Sequence, residues 1–332
     1  MIYTEDYKKC IYTYFNINYF TKIDSTMSDQ RKLNKLISFP QYKNSETFML
    51  RWLDSIQAKE EIFRSPNIRG LKGIDESEFK HDIFSYFVDN RLKMENEFYN
   101  ELKIKIGEEK TIKFCSIIRE EWTDGKSKRM KGNILNLKFS IKNYLSKIID
   151  SKKYSLADLV INPDLGTDYF AEFDEFDIAK ILTLNDQMMV RHLDAWKSLH
   201  PKFRFEGNNL NIYLRRGLHL KNKLEEDKPY REMDFISSYS IAISVTEKFS
   251  QLSHESTPSI INADFDLFKG RILFFSPFIK GKTEDYPEQL EFGIIPSEKP
   301  LLIKLQGENG GIYDYILAEN HEEIKFFTER SY

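Results

Sequence analysis

Three short stretches in the last third of the chain carry residue types that could do chemistry together. The most specific runs from Lys280 to Pro296, where Tyr286 lies three residues before Gln289 and Gln289 lies two before Glu291. An ionised carboxylate such as Glu291 can bond a hydroxyl and stabilise a positive charge developing in a transition state. Gln289 cannot act as a base, but its amide both donates and accepts, which suits it to aligning a nucleophile. Tyr286 could stack on or pack against the molecule that carries that nucleophile. A second register would pair Glu288 with Glu291, although a strand turns those two to opposite faces.

The other two stretches supply a cation and hydroxyls. In Ile212 to Leu218, Arg215 and Arg216 precede Gly217. A guanidinium is a rigid fork that can hold phosphate oxygens through two bonds, and a neighbouring glycine admits close approach of the backbone. The alternation of Leu210, Ile212 and Leu214 predicts a strand and puts Arg216, not Arg215, on their face. Arg216 is therefore the candidate. Between Phe235 and Phe249, strand alternation puts Ser238 and Ser240 on one face, where a hydroxyl can hold a carboxylate in its working rotamer.

In this order and spacing the three stretches resemble the arginine, serine and glutamate motifs of the toxin-type mono-ADP-ribosyltransferases, with Tyr239 standing where that family has threonine. The resemblance spans roughly residues 180–320. It implies NAD⁺ as co-substrate, no metal, and a fold of two small sheets around an NAD cleft with helices. Arg216, Gly217 and Ser240 would then bind NAD⁺, while Glu291, Gln289 and Ser238 would be catalytic. Tyr286 and Glu288 would meet the acceptor.

Within the family, Glu at the Gln289 position accompanies transfer to arginine, whereas Gln accompanies transfer to an amide side chain or to guanine in nucleic acid. A protein amide or a nucleic-acid base is the acceptor this implies. Such domains occur in intracellular toxins, bacterial effectors and anti-phage or toxin–antitoxin systems. A neutralising antitoxin or regulatory partner bound through the N-terminal region is part of that expectation. Two alternatives remain open: an NAD⁺ glycohydrolase using water, and an inactive transferase-like binding module.

The elements that must position these residues divide into a helical and a strand-rich part. At 332 residues the chain exceeds the usual single domain. The expected division is a mostly helical recognition or regulatory domain over 1–150 and a catalytic domain over 151–332. Helical spacing recurs in Met49, Trp52 or Leu53 and Ile56, in Phe79, Ile83, Phe87, Met94, Phe98 and Leu102, and in Leu137, Ile141, Leu145 and Ile148. A further helix is expected from Asn185 to Leu199. Strands are expected over 271–275, 292–295, 301–305 and 312–317, with a turn at Asn309-Gly310-Gly311. Helices followed by strands imply an α+β architecture.

Composition excludes several other classes. No run approaches the roughly 18 to 20 apolar residues that span a bilayer, and the charged amino terminus does not read as a secretory signal. A cytoplasmic protein without a membrane partner is expected. Cys10 and Cys115 lie far apart and read as buried structural thiols. The six histidines show no metal-ligand spacing, Gly281-Lys282 lacks the upstream glycine of a phosphate loop, and no G-x-S-x-G elbow is present. A net charge of −3 gives no global attraction to nucleic acid. The lysine-rich run at Lys126, Lys128, Arg129 and Lys131 and the acidic aromatic segment 168–177 both read as solvated surface.

Overall fold

A computed structural model describes residues 86–87, 89–122, 132–166, 168–199, 213–226, 228–241, 246, 249–250, 257–281, 290–309 and 312–322. The helices expected around Met49 and Phe79, the basic run at 126–131, Cys10 and the residues Tyr286, Glu288 and Gln289 lie outside them.

Helices come first among the described residues. They are α1 (Arg91–Ile106), α2 (Glu108–Ser116), a π-helical segment (Ile117–Trp122), α3 (Asn133–Ile148), the short α4 (Leu156–Leu159) and α5 (Glu175–Leu199). The apolar stripes face inward: Met94, Phe98 and Leu102 of α1 and Leu137, Ile141 and Leu145 of α3 are buried, whereas Ile148 is exposed.

Helix α5 begins ten residues before the expected Asn185. The cause is local: the backbone N–H of Asp177 donates to Asp174 Oδ1 at 2.8 Å, and that of Asp174 donates to Asp177 Oδ2 at 3.2 Å. This reciprocal cap starts a helix inside the acidic segment. That segment is therefore only partly solvated, since Phe173 and Asp177 are buried and Lys110 pairs with Asp177.

Among the described residues seven strands follow: β1 (Tyr213–Leu220), β2 (Ser237–Ser240), β3 (Thr257–Asp264), β4 (Ile272–Phe275), β5 (Glu291–Ile294), β6 (Leu302–Asn309) and β7 (Ile312–Ala318). The protein is mixed α/β, with one seven-stranded sheet in the order β4-β5-β2-β1-β3-β7-β6. All neighbours are antiparallel except β3 and β7. Strand β3 had no counterpart among the expected elements; its residues Ile260 to Asp264 are all buried, so they lack the alternation that marks a half-exposed strand.

The expected pair of small sheets is one continuous sheet by hydrogen bonding. Strand β1 pairs with β3 along its whole length and, among the described residues, with β2 at Arg215 opposite Ser240. This β1–β2 seam joins β4-β5-β2 to β1-β3-β7-β6.

One apolar cluster runs from Tyr86 to Leu317 and does not break near residue 150. Phe87 packs edge-on against Phe275, Phe98 stacks on Phe278, and Asn185 of α5 donates to the Leu273 carbonyl at 2.8 Å. The helices cover the β4 edge of the sheet, where Glu291 begins the neighbouring strand. Among the described residues, no helix is long and apolar enough to cross a membrane.

Candidate active site

The sheet register decides which candidate residues meet. Residues directly opposite in antiparallel strands project to the same face. Glu291 lies opposite Ser240, Ser240 opposite Arg215, and Arg215 opposite Asn262. Arg215, Ser240 and Glu291 therefore form one row across the seam. Ser238, two residues from Ser240, shares their face, and its Oγ donates to Glu291 Oε1 at 2.6 Å.

Glu291 is fixed from several sides. Trp122, the last residue of the π-helical segment, donates its indole N–H to the same Oε1 at 2.7 Å. The Glu291 backbone N–H donates to Ser276 Oγ at 2.9 Å. The preceding residue, Leu290, has φ +38°, a left-handed conformation that costs a non-glycine residue about 1 kcal/mol or more. Such backbone strain persists where surrounding packing over-determines it, and Leu290 is fully buried. Glu291 as a whole is 6% exposed.

The structure separates Arg216 from Glu291. Leu210 and Ile212 of the expected alternation lie outside the described residues; Leu214 and Leu218 are buried on the face of Arg216, and that face is the one away from Glu291. Arg216 Nη1 donates to Glu232 Oε2 at 2.5 Å, and its guanidinium lies 5.8 Å from the centre of the Tyr239 ring. Arg215, 1% exposed, is the arginine in Glu291's row. An apolar stripe identifies a core face, and here Ser240 and Glu291 project from the other one.

Glu232 is a hub that no motif signalled. Its Oε2 also accepts from Ser237 Oγ at 2.7 Å and Tyr230 Oη at 3.1 Å, while Oε1 accepts from Tyr239 Oη at 3.1 Å. Burial, and after it the Glu232 charge, push the Tyr230 and Tyr239 hydroxyls well above their ordinary range. Burial opposes the charge on Arg216, but Tyr230, Glu232 and Tyr239 together outweigh it and hold the guanidinium more firmly protonated than usual. Tyr239 thus belongs to the framework. Its departure from threonine falls on the face opposite Ser238 and Ser240.

Two glycines let the face of Glu291 close. A Cβ on Gly217 would lie 1.9 Å from the Thr246 carbonyl oxygen, and one on Gly293 would lie 2.0 Å from the Phe274 ring. Gly217 is required by the chain that crosses over it, and Gly293 by an aromatic ring that packs edge-on against Trp122 with centroids 5.9 Å apart. The signal for Gly217 was visible as an Arg-Gly pair, though the reason for it is packing.

The structure brings together Ser238, Ser240, Glu291 and Arg215, adds Trp122 from the helical part, and separates Arg216 from them. Trp122 was not identifiable in advance, because 169 residues separate it from Glu291. Cys115 is buried as expected, and burial raises its thiol to about 12, so it is inert at neutral pH. Among the described residues no group of three or more His, Cys, Asp or Glu side chains is placed to hold a metal ion. Compared with known proteins, the chain matches no family model, no curated protein and no solved structure.

Proposed function

We propose that the protein is a mono-ADP-ribosyltransferase that cleaves NAD⁺ at the nicotinamide glycosidic bond and passes ADP-ribose to a macromolecular acceptor. The observation that carries this reading is the row Arg215, Ser240 and Glu291, with Ser238 bonded to the Glu291 carboxylate. A guanidinium, hydroxyls and an oriented carboxylate on one sheet face are the groups such a reaction uses. In an ADP-ribosyltransferase-like fold the cleft would lie along the β1–β2 seam.

In this reading Arg215 holds the NAD⁺ phosphates, and Ser238 keeps Glu291 in one rotamer. As the bond to nicotinamide breaks, the ribose acquires oxocarbenium character, and the ionised Glu291 stabilises that charge while bonding the 2′-hydroxyl. Nicotinamide leaves with the bonding electron pair as a neutral molecule, so no strong general acid is needed. The acceptor's nucleophilic atom then bonds the anomeric carbon and loses its proton to solvent. Gln289 would align that atom, with Tyr286 against the acceptor; an amide at this position favours an amide or a nucleobase over arginine.

The test is incubation of wild type and Glu291→Gln with labelled NAD⁺ and cell extract, following nicotinamide release and label on protein and nucleic acid separately. Wild type should release nicotinamide and label one acceptor class. Nicotinamide release without label would identify a glycohydrolase, and no NAD⁺ consumption at all would overturn the reading.

A further inference from the structure

The π-helical segment ends in a residue that reaches the proposed reaction centre from the other part of the chain. Trp122 is 2% exposed, its ring packs on Phe274, and its N–H meets Glu291 Oε1 at 2.7 Å. We propose that Trp122 is a positioning residue for the Glu291 carboxylate, a role that rests on the transferase reading above.

The geometry argues for it in three ways. First, Trp122 and Ser238 donate to the same oxygen, from a helical segment and from a strand respectively. Two donors converging on Oε1 set the rotation of the carboxyl group about its last bond and hence where Oε2 is carried. One donor would leave that rotation less defined.

Second, the indole is itself held in place. The adjacent Glu121 accepts the Ile134 backbone N–H on Oε2 at 2.7 Å and Asn133 Nδ2 on Oε1 at 2.8 Å. It thereby caps the N-terminus of α3, where a carboxylate is favoured by the exposed N–H groups and the helix dipole. The π-helical segment is thus fastened to the start of α3 one residue before the indole.

Third, the donor is chemically suited. An indole N–H cannot titrate, cannot accept a proton from the carboxylate, and cannot form a competing ion pair. It therefore orients Glu291 without neutralising it. π-helical turns inside helical runs recur at functional positions because they re-aim a side chain.

The test compares wild type, Trp122→Phe and Glu291→Gln. Phenylalanine keeps a ring against Phe274 and removes the donor. Loss of one bond to a charged group should lower kcat for nicotinamide release about 10-fold or more, with KM for NAD⁺ within about 3-fold. In parallel, one of the three tryptophan indole N–H resonances of the wild type should move in Glu291→Gln, a readout that holds even where Trp122→Phe folds poorly.

An unchanged or raised kcat in Trp122→Phe beside an active wild type would overturn the positioning role alone and leave the transferase reading standing. So would indole resonances that all stay in place in Glu291→Gln. A wild type that releases no nicotinamide would instead remove the transferase reading, and the role of Trp122 with it.

Discussion

Glu232 and Glu291 are both buried carboxylates, 3% and 6% exposed, yet they lie toward opposite faces of the same strands and are held differently. Glu232 takes bonds from Arg216, Tyr230, Ser237 and Tyr239, so its charge is balanced by a cation and spread over four donors. Glu291 is oriented by an indole and a hydroxyl, both neutral. Four donors, a bonded cation among them, tie Glu232 into the framework, whereas Trp122 and Ser238 orient Glu291 without bringing a charge of their own. In the proposed reaction Glu291 would face the transient cation of a glycosyl transfer.

The comparison breaks most sharply under paired substitution. Glu232→Gln leaves Arg216 charged and buried without its partner, and should cost about 3–5 kcal/mol of stability by denaturant unfolding. Turnover per folded molecule should stay near that of wild type. Glu291→Gln should do the reverse, with a small shift in melting and a loss of about 10² to 10³ in turnover. If both variants lose activity in proportion to stability, the division between framework and reactive carboxylate is wrong.

A smaller effect sharpens the same contrast at the two arginines. Arg215→Lys keeps charge but loses the planar fork, and should weaken NAD⁺ binding about 10-fold in a titration. Arg216→Lys should instead lower the melting temperature and leave NAD⁺ affinity nearly unchanged. The opposite ranking would return the phosphate role to Arg216.

The smallest expected effect lies away from both carboxylates, at Asp186. Burial raises its carboxyl to about 6, against the pull of the Gly270 N–H and of Lys269. A carboxyl that holds its proton more tightly when folded makes the protein gain stability as pH falls from about 6 toward 4. The full cost of the buried charge is therefore felt above pH 6. Asp186→Asn still offers Gly270 an acceptor, so it should stabilise the protein by about 1–2 kcal/mol at pH 8. That gain should shrink toward pH 4. A gain equal at both pH values would show that charge is not its cause.

What could be read from sequence followed the range of the interaction. The inward face of Leu214, the shared face of Ser238 and Ser240, the stripe of α1 and, apart from Ile148, that of α3 are local, and each is present in the fold. The choice between Arg215 and Arg216 was not local. It depended on which neighbours β1 acquires, and an apolar stripe cannot tell a cleft from the back of a sheet. The early start of α5 was legible only as Asp174 and Asp177 three residues apart, a weak signal inside an acidic run. Glu232 and Trp122 carried no signal, because their importance comes from residues that converge on them in space.

The hydrogen bond between Trp122 and Glu291 also has a meaning for how the molecule is made. Synthesis produces the indole long before the carboxylate, and Glu291 starts the strand that fills the gap between β4 and β2. Contacts of such sequence separation close late, since the chain entropy between them must be overcome before they contribute. A ribosome-bound chain that has not yet emerged past β5 therefore carries the indole with no carboxylate to hold. Whatever chemistry Glu291 performs comes into being as one of the last acts of assembly.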